Sequence, residues 1–312
     1  MDKRTRIGVV GASGAVGRVT LEVLRERGYE NVRAFASGRS AGQRIGDLAV
    51  EEATTETLAT GDLDLCFFSV GTAASRELVP HAVRGGAIVI DKSSAYRLEK
   101  DVPLVVPEVN GDRAQENTGI LANPNCCTIP LTMALKPMSE AAGLARVRVS
   151  TYQSASGGGS QRMDELRATP PGEANLGMDW EFEGEEFDEE AKLREETRKI
   201  LELPELPVSA TCVRVPVLVG HAEAVWIETE QPLSAAEARE VLFDAPGIRV
   251  LEFPTPRDAT ETDDVLVGRI RRDPTVENGL VLFVVVDNLR KGAALNAIQI
   301  ADLLAAPRAV AA

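Results

Sequence analysis

The fold of this chain is decided by residues 6–17, which have the sequence RIGVVGASGAVG. Apolar residues from Arg6 to Val10 predict a short buried strand, and residues Val16 to Arg27 have helical spacing that stops at Gly28. The glycines between them lie where the first amides of a helix can hold a pyrophosphate. Their GxxGxxG spacing is a weak signal alone, but its place between strand and helix predicts a dinucleotide-binding turn.

Beyond this turn, the first third of the chain alternates predicted strands with predicted helices, including a helix at Ser75 to Arg84. Such alternation predicts an N-terminal Rossmann-like, doubly wound parallel sheet. Further strands are predicted at Val32–Ala36, Leu63–Val70, Ala87–Ile90, Leu104–Val106 and Gly119–Ala122.

After about Ile129 a helix is followed by longer strands in series, which predicts an α+β domain with a mixed or antiparallel sheet. We expect an NADP-binding domain at residues 1–127 and a catalytic and dimerisation domain at 128–288, with a C-terminal helix at 289–312 packing back on the first. The predicted strands of the second domain are Arg146–Gln153, Thr211–Val219, Ala224–Glu230, Val265–Arg271 and Leu280–Val286.

Between Gly157 and Pro207 the chain is rich in glycine, proline and acids, with one helical pattern at Glu189 to Leu201. We expect a mobile or interfacial insert there.

Composition excludes several classes of function. The formal net charge of -14 over 312 residues argues against nucleic acid and anionic membranes as partners. No apolar run reaches the ~18 residues of a membrane span, and the four cysteines do not form a disulfide framework. We therefore expect reduced thiols and a cytoplasmic protein. With two histidines and neither CxxC nor HExxH spacing, no metal site is expected.

The residues after the second strand indicate which dinucleotide binds. An NAD enzyme usually has an acid here that accepts from the ribose 2′-hydroxyl. This chain has Ser37, Arg39 and Ser40 instead. Because a guanidinium and two hydroxyls suit a 2′-phosphate, NADP is the expected cofactor.

Two adjacent cysteines, Cys126 and Cys127, stand where a strand-like run gives way to a helix-like one. They are either small buried side chains or a nucleophile, because the amides of a helix start favour a thiolate. A thiolate beside a nicotinamide is suited to oxidising an aldehyde through a thioester, with a histidine as base. His81 lies in a helical run and is expected at the surface. His221, expected at the tip of a strand that ends there, is either that base or a core or capping residue.

Six segments together resemble aspartate-semialdehyde dehydrogenases: residues 11–17, 91–97, 107–110, 123–128, 211–221 and 287–296. The resemblance spans nearly the whole chain. It implies reversible, NADPH-dependent reductive dephosphorylation of L-aspartyl 4-phosphate to L-aspartate 4-semialdehyde, in biosynthesis of lysine, threonine, methionine and isoleucine. It also implies a homodimer or homotetramer.

The resemblance also implies roles for matching residues. The catalytic set is Cys126 as nucleophile, Gln153 as the residue that orients the acyl group, and His221 as acid and base. Among the implied substrate contacts, Arg214 binds the carboxylate and Glu189 the ammonium, and the phosphate is bound by Arg97, Asn125 and Lys192. The implied cofactor contacts are Gly11, Ser13, Gly14, Ala15, Val16, Ser37, Arg39, Ser40, Gly71, Thr72, Ser93, Ser156, Gly157 and Asn288.

Three features depart from the family pattern. Cys127 stands where Ser or Thr is usual, so only the first sulfur is expected to be essential. Lys92 replaces an Asn, and the region 157–189 is shorter than the pattern, which affects the expected interface.

Three alternatives stay open at this point. An acyl-CoA reductase of the malonyl-CoA type could use the same residues. An N-acetyl-γ-glutamyl-phosphate reductase would show Asn-Pro-Gly-Cys-Tyr-Pro at the thiol, which this chain lacks. A silent NADP-binding regulatory paralogue is the alternative outside enzymes.

Overall fold

A computed structural model describes residues 1–170, 172–174 and 177–304. The chain forms two compact units, one of residues Met1–Pro124 with the segment from Ala293 onward, and one of Asn125–Gly292. The division drawn from the sequence left Cys126 and Cys127 in the first domain, whereas here both belong to the second unit. Of the C-terminal segment predicted at 289–312, residues 305–312 lie outside the described residues.

The first unit contains a seven-stranded sheet with the strand order β3-β4-β2-β1-β5-β6-β7, parallel except for the β3–β4 pair. This is the predicted doubly wound arrangement. Its elements are β1 Ile7–Val10, α1 Ala15–Glu26, β2 Val32–Ala36, β3 Arg44–Ile45, β4 Leu48–Glu52, α2 Thr55–Leu58, β5 Leu65–Phe68, α3 Thr72–Arg84, β6 Ile88–Asp91, α4 Pro107–Asn110 and β7 Ile120–Ala122.

The C-terminal helix, Asn296–Leu304, belongs to this first unit and follows a π-helical turn at Arg290–Leu295. Its residues Ile298 and Ile300 are fully buried in the same apolar cluster as Ile7 of β1. The helix therefore completes the core of the nucleotide-binding fold, which explains why the chain returns to this unit after the second one.

The second unit contains a six-stranded mixed sheet with the strand order β11-β8-β12-β15-β14-β13. Strand β11 pairs with β8 in parallel and β13 with β14 in parallel, while the other pairs are antiparallel. Its elements are α5 Thr128–Ala142, β8 Leu144–Gln153, α6 Ser160–Ala168, β9 Phe182–Glu183, β10 Glu186–Phe187, α7 Asp188–Leu201, β11 Val208–Arg214, β12 His221–Thr229, α8 Ala235–Phe243, β13 Ile248–Val250, α9 Pro256–Ala259, β14 Val265–Arg272 and β15 Gly279–Val286.

The two faces of this sheet differ. Helices α5 and α8 pack on one face. On the other, α9 joins a small apolar cluster at one end, and Arg148 and Tyr152 of β8 remain exposed.

Three sequence-based predictions need correction. Leu104–Val106 is not a strand, because Leu104 makes only an isolated bridge to Ala122 and Pro107 opens helix α4 directly afterwards. The strand expected to run to Val219 ends at Arg214, since Pro216 has no N–H for a ladder. His221 is consequently the first residue of β12 rather than the last of a strand, after a turn in which Gly220 has φ +99°.

The segment predicted as an insert is more structured than its composition indicated. It contains α6, the β9–β10 hairpin and α7, which begins one residue before the predicted helical pattern. Strands β3, β4 and β13 and helix α8 were not predicted from the sequence. Among helices of the described ranges, none combines the length and apolar character that crossing a membrane requires.

Candidate active site

Asn125 shapes the backbone that presents the two cysteines ahead of α5. Its Oδ1 accepts from the N–H of Cys127 at 2.7 Å, and its carbonyl accepts from Ile129 at 3.1 Å. The N–H of Asn125 itself donates to Glu196 Oε2 at 2.7 Å. Cys126 is thereby held just before the first turn of the helix, and it is partly exposed while Cys127 is buried.

The sulfurs of Cys126 and Cys127 and a ring nitrogen of His221 all lie within 4.8 Å of one another. The pKa of the Cys126 thiol is held well below its usual value, chiefly because the Cys127 thiol donates to it, and further because His221 and Arg214 lie near. Burial opposes these effects without cancelling them. This arrangement stabilises a thiolate, which is the nucleophilic form of cysteine.

Cys127 is therefore a partner of the nucleophile rather than an incidental neighbour. Burial, and then its hydrogen bond to Cys126, raise the pKa of the Cys127 thiol well above the usual value, so it stays a donor. Behind it lies the fully buried Glu223, whose pKa is raised well above its ordinary range by burial and by the charge of Cys126. Sequence reasoning missed Glu223, although its i, i+2 relation to His221 on one strand places both on the same face.

His221 is fully buried and held from one side of its ring. Its Nδ1 lies 3.1 Å from the backbone nitrogen of Ser154, which donates to it, and 3.0 Å from Ser154 Oγ. Ser154 Oγ is in turn linked to Asn288 Oδ1 at 3.1 Å. The N–H of Ser154 makes Nδ1 an acceptor, which assigns the proton of the neutral ring to Nε2. Nε2 has no hydrogen-bond partner among the described residues, so it is the nitrogen available for proton transfer.

Two residues expected to contact the cofactor support this histidine network. Ser156 Oγ lies 3.0 Å from Asn288 Oδ1, and Asn288 Nδ2 lies 2.9 Å from Ser156 Oγ. Asn288 also accepts from the N–H of Gly220 at 3.0 Å, directly before His221. Ser154 was not anticipated, and no spacing in the sequence points to it.

Gly157 lies so close to the site that a side chain would not fit. A Cβ there would stand 2.7 Å from Arg214 Nη1 and 3.0 Å from His221 Nε2. Both distances are shorter than ordinary van der Waals contact, so only glycine leaves the guanidinium and the imidazole where they are.

Two of the three residues expected to bind the phosphate, Asn125 and Lys192, meet around Glu189, the residue expected to bind the ammonium; Arg97 does not. Glu189 Oε1 accepts from Asn125 Nδ2 at 2.9 Å and from Gln153 Nε2 at 3.1 Å, and Lys192 Nζ is 3.7 Å from Oε2. Burial raises the pKa of Glu189, as does the charge of Cys126, while these three partners lower it. Lys192 also pairs with Asp188 at 2.6 Å. The four residues form one polar network within the second unit.

Arg214 has internal partners that the sequence did not indicate. Its Nη1 donates to the carbonyl of Ser154 at 3.1 Å, and its Nη2 pairs with Asp179 Oδ1 at 2.6 Å. The guanidinium also lies over the ring of Trp180, 4.6 Å from the centroid. The carboxylate of Asp179 thus occupies the Arg214 guanidinium, which is expected to bind the carboxylate of the substrate.

In the first unit, the glycine turn has the geometry that a pyrophosphate requires. Gly11 has φ +85° and a Cβ there would stand 2.3 Å from the carbonyl oxygen of Ser69, while a Cβ on Gly17 would stand 2.2 Å from the carbonyl of Gly11. At Gly14 the nearest atom is 3.4 Å away, and this N-cap of α1 has no capping side chain. The turn, with Ser13, Ala15 and Val16, therefore leaves backbone amides open to an anion.

The residues expected around the adenosine phosphate follow β2. Ser37 and Arg39 are exposed and Ser40 is half-buried. Glu52, at the end of β4, approaches Gly38 so closely that a Cβ on that glycine would stand 2.6 Å from its Oε1. Sequence reasoning missed this acid, because it comes from a neighbouring strand rather than from the end of β2.

The remaining first-unit candidates lie after β5 and β6. Gly71 is the N-cap of α3, and Thr72 Oγ1 lies 2.8 Å from Ser94 Oγ. Ser93 donates to Asp91 at 2.5 Å. Lys92 donates to Thr20 Oγ1 and Ser69 Oγ, both at 2.9 Å, and burial lowers its pKa to about 7.

Arg97 is buried in the first unit and bound to backbone carbonyls. Its Nε donates to the carbonyl of Asn123 at 3.0 Å and its Nη2 to that of Lys92 at 2.6 Å. The guanidinium is therefore fixed in place by the segment that leads to the cysteines.

Comparison with known proteins agrees with this geometry. Two family models match, "Semialdehyde dehydrogenase, NAD binding domain" over residues 6–117 and "Semialdehyde dehydrogenase, dimerisation domain" over residues 177–291. Aspartate-semialdehyde dehydrogenase of Streptomyces akiyoshiensis is 45% identical, with 96% of this chain and 98% of that protein covered, and that of Aquifex aeolicus is 43% identical, with 96% and 97% covered. The chain belongs to the aspartate-semialdehyde dehydrogenase family.

Solved structures of the family share the fold. Aspartate semialdehyde dehydrogenase II of Vibrio cholerae, complexed with ASA, superposes with a TM-score of 0.89 at 40% identity, covering 96% of this chain and 97% of that one. The enzyme of Candida albicans with NADP gives a TM-score of 0.78 at 27% identity, covering 97% and 98%. These findings confirm the predicted α/β fold and family, and they identify an oxidoreductase with an NAD(P)-binding domain. The Streptomyces alignment extends over 338 positions, so that relative has insertions that this 312-residue chain lacks.

Proposed function

We propose that this protein interconverts L-aspartate 4-semialdehyde and L-aspartyl 4-phosphate with NADP and phosphate, through a thioester on Cys126. The observation that carries the proposal is a set of groups in the second unit. The partly exposed Cys126 thiol has a lowered pKa, and a ring nitrogen of His221 lies within 4.8 Å of its sulfur. The buried Glu189 and Arg214 supply a carboxylate and a guanidinium for binding. This set matches both the reaction and the zwitterionic end of the substrate.

In the oxidative direction, the Cys126 thiolate adds to the aldehyde carbon and the former carbonyl oxygen takes a proton from Nε2 of His221. The same nitrogen then removes that proton as hydride leaves for the nicotinamide, and an acyl thioester remains on Sγ. NADP supplies only the hydride acceptor. Inorganic phosphate next attacks the thioester carbon, so that the acyl phosphate leaves and the thiolate is restored. While the ring carries both protons, the N–H of Ser154 must turn away from Nδ1, and Ser154 Oγ, 3.0 Å away, accepts from Nδ1–H.

Substrate recognition is assigned to the polar groups around Cys126. The guanidinium of Arg214 is assigned to bind the α-carboxylate, and the carboxylate of Glu189 to bind the ammonium. Lys192, Asn125 and Arg97 are proposed to bind phosphate. The hydrogen bond from Gln153 to Glu189 supports a position for Gln153 beside the acyl group.

For the cofactor, the exposed Arg39 between two serines supports binding of the 2′-phosphate of NADP. Glu52 beside Gly38 is the group that would instead favour the bare ribose of NAD. Because a guanidinium forms charge-assisted bonds with a phosphate dianion, we assign the preference to NADP. We propose Gly71, Thr72 and Ser93 as further contacts of the dinucleotide.

A parallel assay of three substrates tests the proposed reaction. Reduction of NADP is measured with L-aspartate 4-semialdehyde and phosphate, with malonate semialdehyde and CoA, and with N-acetylglutamate semialdehyde and phosphate. We expect turnover of the first substrate, dependent on phosphate. Turnover of another substrate alone would assign the chain to one of the rival reductases, and no turnover of any would support a silent paralogue.

We further propose that the chain forms a homodimer, or a homotetramer of such dimers, through the open face of the six-stranded sheet. The family's dimerisation model covers residues 177–291. Tyr152 is exposed on that face, and its ring is tilted by 46° to that of Phe283, with centroids 6.5 Å apart. Light scattering should give a dimer mass or a multiple of it. Tyr152→Glu should reduce that mass while the matched Tyr152→Phe should not.

The four cysteines are unpaired, and the proposed reaction needs at least one of them reduced. A reducing compartment meets that need, so we propose the cytoplasm. There the reaction would serve biosynthesis of lysine, threonine, methionine and isoleucine.

A further inference from the structure

Three metal-ligating atoms converge at the start of α5, although the sequence contains no metal-binding spacing. The Sγ atoms of Cys126 and Cys127 and a ring nitrogen of His221 lie within 4.8 Å of one another. Zinc binds thiolate sulfur at about 2.3 Å and imidazole nitrogen at about 2.0 Å with tetrahedral geometry, so the ligand atoms of one ion lie about 3.5–3.8 Å apart. The three side chains, whose ligand atoms lie within 4.8 Å of one another, therefore need to close by up to about 1 Å to share one ion.

His221 provides the second, independent observation. Its Nε2 is buried and has no hydrogen-bond partner among the described residues, while Nδ1 is bound by Ser154. A metal-ligating histidine donates its other ring N–H to an acceptor, whereas here Nδ1 accepts from the N–H of Ser154. For Nε2 to offer its lone pair to a cation, the ring proton must move to Nδ1, the N–H of Ser154 must turn away from that nitrogen, and Ser154 Oγ, 3.0 Å away, must accept the proton.

The surroundings allow an ion to enter from one side. Cys126 is partly exposed whereas Cys127 and His221 are buried, so an ion would arrive from the Cys126 side. The buried acids Glu189 and Glu223 lie near the Cys127 sulfur, and Arg214 lies near that of Cys126.

We propose that Cys126, Cys127 and His221 bind one thiophilic divalent cation, Zn²⁺, and that the bound ion reversibly blocks the nucleophile. The ion would bind two thiolates and a neutral imidazole, so any proton held by the two sulfurs leaves to solvent and the ring proton moves to Nδ1. The fourth position is open to water. Cys127 makes this a two-thiolate site, whereas Ser or Thr at that position would leave one sulfur. The proposed metal binding does not depend on the proposed reaction, whereas the proposed inhibition does.

The experiment measures binding directly on the full-length, chelator-treated protein. Co²⁺ is titrated first, since thiolate-to-cobalt charge-transfer absorption reports sulfur ligands, and Zn²⁺ is then used to displace it. We expect one ion per chain. Loss of an outer-shell partner already costs about 10–100-fold in metal affinity, so Cys127→Ser, which removes a ligand itself, should cost at least about a hundredfold. Cys126→Ser and His221→Gln should weaken binding likewise.

Two buried cysteines elsewhere in the chain provide matched controls. Cys66→Ser and Cys212→Ser should bind Co²⁺ and Zn²⁺ like the unchanged protein. Unaltered metal affinity in Cys127→Ser would overturn the proposal. So would a thiolate–cobalt band that is lost in Cys66→Ser or Cys212→Ser, or the lack of any such band in the unchanged protein.

The activity arm separates this inference from the proposed function. Zn²⁺ should inhibit the dehydrogenase assay at the concentrations that fill the site, and EDTA should reverse it. Whatever activity Cys127→Ser retains should not be inhibited by Zn²⁺ at those concentrations. Metal binding without dehydrogenase activity would refute only the reaction, whereas full activity at saturating Zn²⁺ would refute the inhibition.

Discussion

Replacing Cys127 by Ala tests the link between the two sulfurs. The Cys127 thiol is the largest influence that lowers the pKa of Cys126, ahead of His221 and Arg214. Since the pKa is lowered, the thiolate exists at lower pH than in a free cysteine, and removing the donor must move its titration upward. We therefore expect the acid limb of the pH profile of kcat/KM to shift to higher pH in Cys127→Ala, with recovery at alkaline pH.

The magnitude follows from the hydrogen bond that is lost. Hydrogen bonds to charged groups are worth about 1.5–3 kcal/mol, and a thiol is a weak donor, so the lower end applies. About 1.5 kcal/mol is roughly a tenfold loss of kcat/KM on the acid limb. Cys127→Ser keeps a donor and should lose no more than about threefold, which is near 0.7 kcal/mol.

The assay is the pH dependence of kcat/KM, together with the rate of alkylation of Cys126 by iodoacetamide as a direct measure of thiolate. Melting temperatures of both variants control for loss of folding, because Cys127 is buried. Superimposable profiles for Cys127→Ala and the unchanged chain would refute the reasoning. An equal loss in the Ser variant would refute it too, since the hydroxyl restores a donor.

Three further changes test the surrounding geometry. Gly157→Ala should displace the groups that its Cβ would meet and lower kcat/KM about a hundredfold, whereas Gly177→Ala, which meets nothing within 4 Å, should be neutral in the same assay. Asp179→Asn should lower KM for the semialdehyde with kcat little changed, because it removes the carboxylate that pairs with Arg214 at 2.6 Å; a raised KM would contradict Arg214 as the carboxylate site. Arg39→Ala should weaken NADPH binding much more than NADH binding by titration calorimetry, and equal losses would remove the 2′-phosphate argument.

The sequence predicted the parts of the fold that have strong local signals. The glycine turn was predictable because Gly11 and Gly17 occupy positions where a Cβ would meet backbone within 2.3 Å. The long strands were predictable from continuous apolar runs. The strand containing the apolar residues 217–219 was mispredicted, because Pro216 and Gly220 override local hydrophobicity.

The site was only partly predictable. Residue types and motif resemblance pointed to Cys126 and His221, but neither shows which atoms meet. Glu223, Ser154 and Asp179 reach the site from strands and loops distant in sequence from the cysteines, and they carry no motif. The contact between Cys127 and Cys126 likewise depends on the backbone turn before α5, which spacing alone does not specify.

The most direct test of the central claim is to trap the acyl-enzyme. The chain is mixed with L-aspartate 4-semialdehyde and NADP without phosphate, quenched in acid and analysed by intact mass and peptide mapping. We predict one aspartyl group in thioester linkage on Cys126, formed with one equivalent of NADPH, retained in Cys127→Ser, absent in Cys126→Ser and released by phosphate. An adduct on Cys127, or NADPH formation without any adduct, would contradict the account.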